Sequence, residues 1–375
     1  MSSCKRRILW DTLPWMHIWS FLSNNDVNEL VCVSRNAQIR NLFIRAKTWP
    51  SQYVPHGARY VVMDGPGGVL PTSVIQLKFL ENRDVMIPNH VTRLIFDMTF
   101  DQPVMIPFQI THLTFGSFFN QPVTIPPSVT YLKFGSNFNN KLTLSDGLIH
   151  LEFGYWFNQA VDLPNSVQHL IFGQMFNQPV IIPSETVRLV FGDYFDQPIR
   201  LPNKLQELTF GMPFNFPLTP PFGVRMLRFG RCFNQMINIP ASVTHLVFGD
   251  NFNHIVNLPP SVTHLVFGDC FNHPFNMPPN IVELHLGYWF HQPITLPSSL
   301  HTLILGHTYS HELILPPTLL RFAMGRCQIR PVEVKAWDCI INHNAVLYDG
   351  GGVDQGTIFN LGVIAATKII SYNHS

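Results

Sequence analysis

The sequence predicts a mostly β protein: a solenoid of about 12–13 coils, each of 19 residues, preceded by a small α-helical module. Three observations carry this prediction. Phenylalanine recurs at a fixed step of 19 at positions 100, 119, 138, 157, 176, 195, 214, 233, 252, 271 and 290, with Tyr309 next in line. A glycine column runs in phase with it from Gly116 to Gly325, and a leucine column from Leu94 to Leu303. Within each unit the apolar residues alternate, as in Leu246 and Phe248, which is the period of a strand with one buried face.

One unit, Val243 to Pro259, shows how each part is justified. Leu246 and Phe248 point inward from a short strand, and His245 and Val247 point outward. Gly249 followed by Asp250 suits a turn, with a backbone free to take positive φ. Phe252 returns to the core, and the stacked phenylalanines form a spine, one per coil. Val256 and Leu258 make a second alternating pair, closed by Pro259. Nineteen residues cannot hold a strand, a turn and a return helix of about 11 residues, so the return arm is extended or irregular. No unit buries enough apolar surface alone, so coils must stack. The Asn/Asp column beside the phenylalanines (Asn120 through Asn272) is expected to bond backbone groups in the adjoining turn.

Composition narrows the function classes. Hydrophobic residues make up 46% of 375 and charged residues 13%, and Phe and Pro each occur 31 times. The low charge fraction fits a large core rather than a solvated chain. A net charge of +1 and no basic run beyond Lys5-Arg6-Arg7 argue against a nucleic-acid partner. The absence of a long apolar stretch argues against a membrane span. Six cysteines without a framework fit a reduced protein, cytoplasmic or possibly nuclear. No cofactor or metal is expected.

The outward positions vary where the inward ones do not. One column includes His150, His169, Arg188, Glu207, His245 and His264; the other includes Arg228 and His285. These eight residues are the candidate substrate-binding face. His150 with His169, and His245 with His264, fall on neighbouring strands, but two nitrogens alone make a poor zinc site. Outward acids Glu152, Glu207 and Glu283 are three and four coils apart, too far for joint acid–base work on one bond. No nucleophile, zinc-protease or phosphate-loop motif occurs, so no enzymatic activity is expected.

The pattern VxxLxFGxxF resembles the leucine-rich repeat signature with a shorter back half. More specifically, FNQPV, intact at 119–123 and 176–180, followed by IP and SVTHLxFG, resembles the FNIP repeat family, a relative of leucine-rich repeats. Variants are FDQPV at 100–104, FDQPI at 195–199 and FHQPI at 290–294. The resemblance covers residues 70 to about 327, which sets the solenoid domain at 70–327.

Residues 1–50 have different chemistry. Apolar residues at helical spacing flank Ser23-Asn-Asn-Asp26, and Asp26 with Glu29 forms a capping-box pattern. The stretch IWSFLSNNDVNELVCVSR, 18–35, resembles the F-box, with Ile18, Ser20, Leu22, Asp26, Leu30, Val33 and Arg35 on motif positions. Val27 replaces a leucine, Leu13-Pro14 lies about three residues closer to Ile18 than the motif has it, and the tryptophan after the arginine is missing. The resemblance implies a substrate-recognition adaptor of a cullin–RING (SCF-type) ubiquitin ligase. Leu13, Pro14, Ile18, Phe21 and Leu22 would dock on the S-phase-kinase-associated adaptor subunit, and the repeats would hold an unidentified protein substrate. The alternative is an interaction scaffold whose N-terminal helices only cap the solenoid. Residues 51–69 are expected to be a linker or N-terminal cap and 328–375 a C-terminal cap.

Overall fold

Each 19-residue unit closes into one coil that lays a three-residue strand beside its predecessor. The computed structural model describes residues 43–46, 58–63, 70–80, 87–306, 308–324 and 368–369. Among them, sixteen strands form one parallel sheet in strict sequence order, apart from a short strand excursion near its end. The sheet begins with β1 (Phe43–Ala46), β2 (Tyr60–Met63), β3 (Gln76–Phe79) and β4 (Arg93–Phe96). It continues at the 19-residue step through His112–Thr114, Tyr131–Lys133, His150–Glu152 and onward to Arg321–Met324. Equivalent residues pair directly: His245 with His264, Leu246 with Leu265, Val247 with Val266. Leu313–Ile314 leaves this order and pairs antiparallel with Lys368–Ile369.

The boundary at the N-terminal side differs from the expectation. Residues 43–46, assigned to the helical module, are a strand paired with 60–63, and 60–63, assigned to the linker, are paired with 76–79. The sheet therefore starts before residue 70. Segment 18–35, expected to be helical, lies outside the described residues, as does all of 328–375 except Lys368–Ile369.

The core is built as anticipated, with one difference. Val243, Leu246, Phe248 and Phe252 are buried, and so are their equivalents along the chain. The spine, however, is two rows of rings. Phe248 stacks on Phe252 of its own coil at 3.8 Å between centroids, while each row continues to the next coil at 5.4 and 6.1 Å. Stacked, nearly parallel rings add to area burial, and doubling the row makes phenylalanine the main filling of the solenoid. The pair Val256 and Leu258 packs on this core without forming a strand, so the return arm is irregular.

The glycine column has a different cause from the one expected. None of the described column glycines has positive φ; among the described glycines only Gly147 does, at 104°. Instead, the backbones of successive coils approach closely: a Cβ on Gly249 would sit 2.1 Å from the Gly230 carbonyl oxygen. Glycine is there because no side chain fits between coils.

Three ladders tie the coils together beyond the sheet. The Asn253 side-chain oxygen accepts the Asn272 amide at 3.0 Å, and the same bond recurs from Asp101–Asn120 onward. A serine on the other side of the coil donates to the preceding coil, as Ser261 Oγ does to Val243 O at 2.7 Å. At the turn after the strand, Trp156 N donates to Ser136 O at 2.8 Å and Met175 N to Tyr155 O at 2.9 Å. The asparagine expectation holds, with the bond running between coils rather than inside one turn.

Candidate binding face

The strand geometry places alternate side chains on the solvent side of the sheet, and the in-register stacking lines them into two columns. His150, His169, Arg188, Glu207, His245 and His264 share one column, Arg228 and His285 the other, and none of the eight is buried. The structure gathers them into separate clusters rather than one site.

The first cluster is a row of rings. His112 stacks on Tyr131 at 5.7 Å, Tyr131 on His150 at 4.4 Å, and His150 meets His169 tilted at 5.9 Å. Lys133 Nζ lies 2.7 Å from Glu152 Oε1, with His150 Nε2 3.9 Å from the other carboxylate oxygen. Burial works to raise the Glu152 pKa, but nearby His150 and the Lys133 ion pair prevail and hold it below the ordinary value. Burial keeps His169 and His112 below the usual imidazole range, helped by His150 and Arg93 respectively.

Arg188 and Glu207 form the next cluster, Nε to Oε2 at 3.4 Å, on a well-exposed part of the face. On the coil directly after Glu207, Arg228 has its pKa lowered by burial, opposed by the charge of Asp193.

The third cluster is His245, His264, Glu283 and His285. The two imidazoles are stacked at 4.2 Å and 7°. Each ring is fixed by the threonine that precedes it: Thr244 Oγ1 lies 3.2 Å from Arg225 O and 2.9 Å from His245 Nδ1, and Thr263 Oγ1 lies 3.2 Å from Thr244 O and 2.9 Å from His264 Nδ1. Burial lowers both pKa values, His264 adds to the effect on His245, and His285 adds to that on His264, against the pull of Glu283 on each. Glu283 is opposed by burial but held low by His285, whose Nε2 is 2.8 Å from its Oε1.

Parallel rings aim their nitrogens side by side rather than at one point, which does not suit a shared metal ion. Among the described residues no group of three or more His, Cys, Asp or Glu is arranged to hold one. The acids Glu152, Glu207 and Glu283 each face a basic side chain and remain three and four coils apart. Sequence reasoning passed over Tyr131 and His112 as members of the ring row, and over Glu283 as the direct partner of His264 across the sheet. The signal was present in the 19-residue offset that joins each pair. Leu13, Pro14, Ile18, Phe21 and Leu22 lie outside the described residues. No helix among the described residues is long and apolar enough to cross a membrane.

Stacked parallel strands, an inward leucine column and an asparagine ladder define a solenoid of the leucine-rich repeat type, a fold typical of protein–protein interaction. The FNIP Repeat model matches residues 119–143, 138–175, 176–212, 233–270, 254–289 and 271–308 of this chain. Among solved structures, the chain is similar to CroV588, described as a novel circular LRR protein, at 31% identity and a TM-score of 0.63. That match covers 85% of this chain but 57% of CroV588, so the chain spans little more than half of it. It is also similar to YopM from Yersinia enterocolitica WA-314 at 17% identity, covering 76% of this chain and 62% of that one, with a TM-score of 0.47. No curated protein matches the chain.

Proposed function

We propose that the protein is a non-enzymatic substrate-recognition adaptor of a cullin–RING (SCF-type) ubiquitin ligase, acting in the cytoplasm or nucleus. In this reading the F-box-like residues 18–35 dock on the S-phase-kinase-associated adaptor subunit, and the solenoid holds a protein substrate. The observation that carries the binding half is the contrast between columns: inward strand positions from Leu77 to Leu305 are Leu and Phe, while the outward sheet positions change from coil to coil. A frame that repeats and a face that varies suit recognition of a partner over many coils. The ligase half rests on the residue pattern of 18–35 alone.

The test is retention of the adaptor subunit by the tagged full chain. The wild type is expected to retain it and Leu22→Asp to lose it. If the wild type fails, or Leu22→Asp retains it equally, the protein is an interaction scaffold whose N-terminal segment serves only as a cap.

A further inference from the structure

The sheet face changes its charge balance along the chain. In the first half, cations meet a carboxylate one coil away: Lys78 Nζ lies 2.8 Å from Asp97, Lys133 Nζ 2.7 Å from Glu152 and Arg188 Nε 3.4 Å from Glu207. The second half runs from the strand Met226–Arg228 to the strand Arg321–Met324. Here Arg225 and Arg321 are exposed, and the equivalent places on their described neighbouring coils hold only Gln206, Thr244 and Thr302. Arg228 is opposed by the more distant charge of Asp193. At the sheet-face positions of these strands the single acid among the described residues is Glu283, already 2.8 Å from His285 Nε2.

Histidines fill the space between the arginines. His245 and His264 are stacked at 4.2 Å and 7°, partly exposed, with Glu283 next across the sheet. His301 Nδ1–H donates to Ser299 O at 2.8 Å, so its neutral ring keeps a lone pair on Nε2. Both stacked rings are neutral at pH 7.5, since burial holds their pKa values below the ordinary 6.5. The charges acting on them are each other, Glu283 and His285. The nearest turn has its own balance, Arg231 Nε lying 3.3 Å from Asp250 while Asp269 accepts the Tyr288 amide.

Two protonated rings in a parallel stack repel each other, and the one carboxylate at hand is engaged by His285. An anion laid over the pair supplies the missing countercharge, so binding and proton uptake reinforce each other. The chemistry of that anion follows from where the cations stand. Arg225 and Arg321 mark the two ends of a run of five coil steps, about 24 Å at about 4.8 Å per strand. Nucleic acid and anionic membranes are held by many clustered cations. Carboxylates spread along an extended polypeptide suit a sparse row, and seven or eight residues at about 3.3 Å each cover the distance.

We infer that this half of the sheet face binds an acidic segment of a partner protein, and that His245 and His264 make the binding tighten on acidification. The inference rests on the reading of the sheet face as the recognition surface and names the partner's chemistry; it does not depend on residues 18–35.

The test uses the full chain and a labelled octa-aspartate peptide, followed by fluorescence anisotropy at pH 7.5 and 5.5. Linked uptake of one proton changes affinity by up to about tenfold per pH unit, so tightening of at least about tenfold is expected. The His245→Asn, His264→Asn double variant is expected to reduce that change to less than about threefold, and Arg225→Gln to weaken binding severalfold at both pH values. The control is His254→Asn, His273→Asn, which removes as many histidines from the return arm. These two rings donate from Nε2 to Asn234 O and Asn253 O, and Asn140 makes the equivalent bond to Asn120 O from the same column. The control is expected to keep the full pH response. Circular dichroism at both pH values confirms that each variant is folded. On the wild type, imidazole NMR titration is expected to show the His245 and His264 pKa values rising when the peptide is added. Affinity that does not change with pH, a full response in the folded double variant, or ring pKa values unmoved by the peptide overturns the inference. Tighter binding at pH 5.5 of an eight-nucleotide thymidine strand assigns the face to nucleic acid and also overturns it. Retention of the adaptor subunit without acid-dependent peptide binding overturns this inference and leaves the ligase reading standing, and the converse result does the reverse.

Discussion

Replacing Gly173 with alanine tests what the glycine column is for. A Cβ at this position would lie 1.7 Å from the Gly154 carbonyl oxygen and 2.4 Å from its carbon. Both are backbone atoms, so no side chain can turn aside, and the two coils must separate locally by about 1.5 Å to reach a tolerable contact. Separation stretches the edge bond from Met175 N to Tyr155 O, now 2.9 Å, and loosens the stack of Phe172 on Phe153, now 5.6 Å. Overpacking costs about 1–3 kcal/mol and the weakened hydrogen bond about 1 kcal/mol, giving a destabilisation of about 2–4 kcal/mol. Gly223→Ala is the matched control. Its Cβ would meet only Leu205 O at 3.4 Å and Asn203 O at 3.8 Å, and its φ is not positive. There the expected change is neutral to a gain of about 0.4–1 kcal/mol, through a less disordered unfolded chain. The assay is urea denaturation by circular dichroism, with hydrogen exchange to locate the loss, since coil stability is set by neighbours. Gly173→Ala within about 0.5 kcal/mol of the wild type would refute the close-approach argument.

Other outcomes follow from the same frame. Phe176→Ala removes a fully buried ring stacked on Phe172, Phe157 and Phe195, and is expected to cost about 3–5 kcal/mol in the same denaturation assay. Asn177→Ala strips the acceptor from Asp196 N at 3.0 Å and Gln197 Nε2 at 3.1 Å; a loss of about 1–3 kcal/mol is expected, with faster exchange at the Asp196 amide. His245 and His264 have folded pKa values below the ordinary 6.5, so as pH falls below that value the unfolded chain takes up protons first and stability drops. Glu152 and Glu283, held below the ordinary 4.5, add their own loss as pH falls further. Urea midpoints at pH 7.5 and 5.5 should therefore differ less in the His245→Asn, His264→Asn double variant than in the wild type, and an unchanged difference would refute the assignment.

The inward columns were legible because a solenoid repeats the same contact in every coil. Leu246 and Phe248 are echoed by Leu265 and Phe267 with the same burial, so the sequence averages over many copies of one environment. What the sequence could not supply was the reason behind a column when that reason sits 19 residues away. Gly249 looks like a turn glycine within its own unit; only the neighbouring Gly230 carbonyl reveals the missing Cβ as the requirement. The first strand, Phe43–Ala46, was missed for a related reason. Phe43, Tyr60, Gln76 and Arg93 pair in register, yet their steps are 17, 16 and 17 residues, so they fall out of phase with the 19-residue columns. Loop lengths changed while the pairing stayed constant.

The two exposed surfaces differ in what they can offer a partner. On the sheet face, Lys133 already holds Glu152, Arg188 holds Glu207 and His285 holds Glu283. Covering these pairs removes them from water with no unpaired charge gained, which contributes selectivity more than affinity. The turn edge at Phe118, Trp156 and Tyr194 presents half-exposed rings with almost no charge nearby, so covering it yields apolar burial at little electrostatic cost. A partner that touches both would draw its affinity from the edge and its discrimination from the face. Charge reversal at Arg188 should then alter which partner is held, while Trp156→Ala should shorten how long any partner stays.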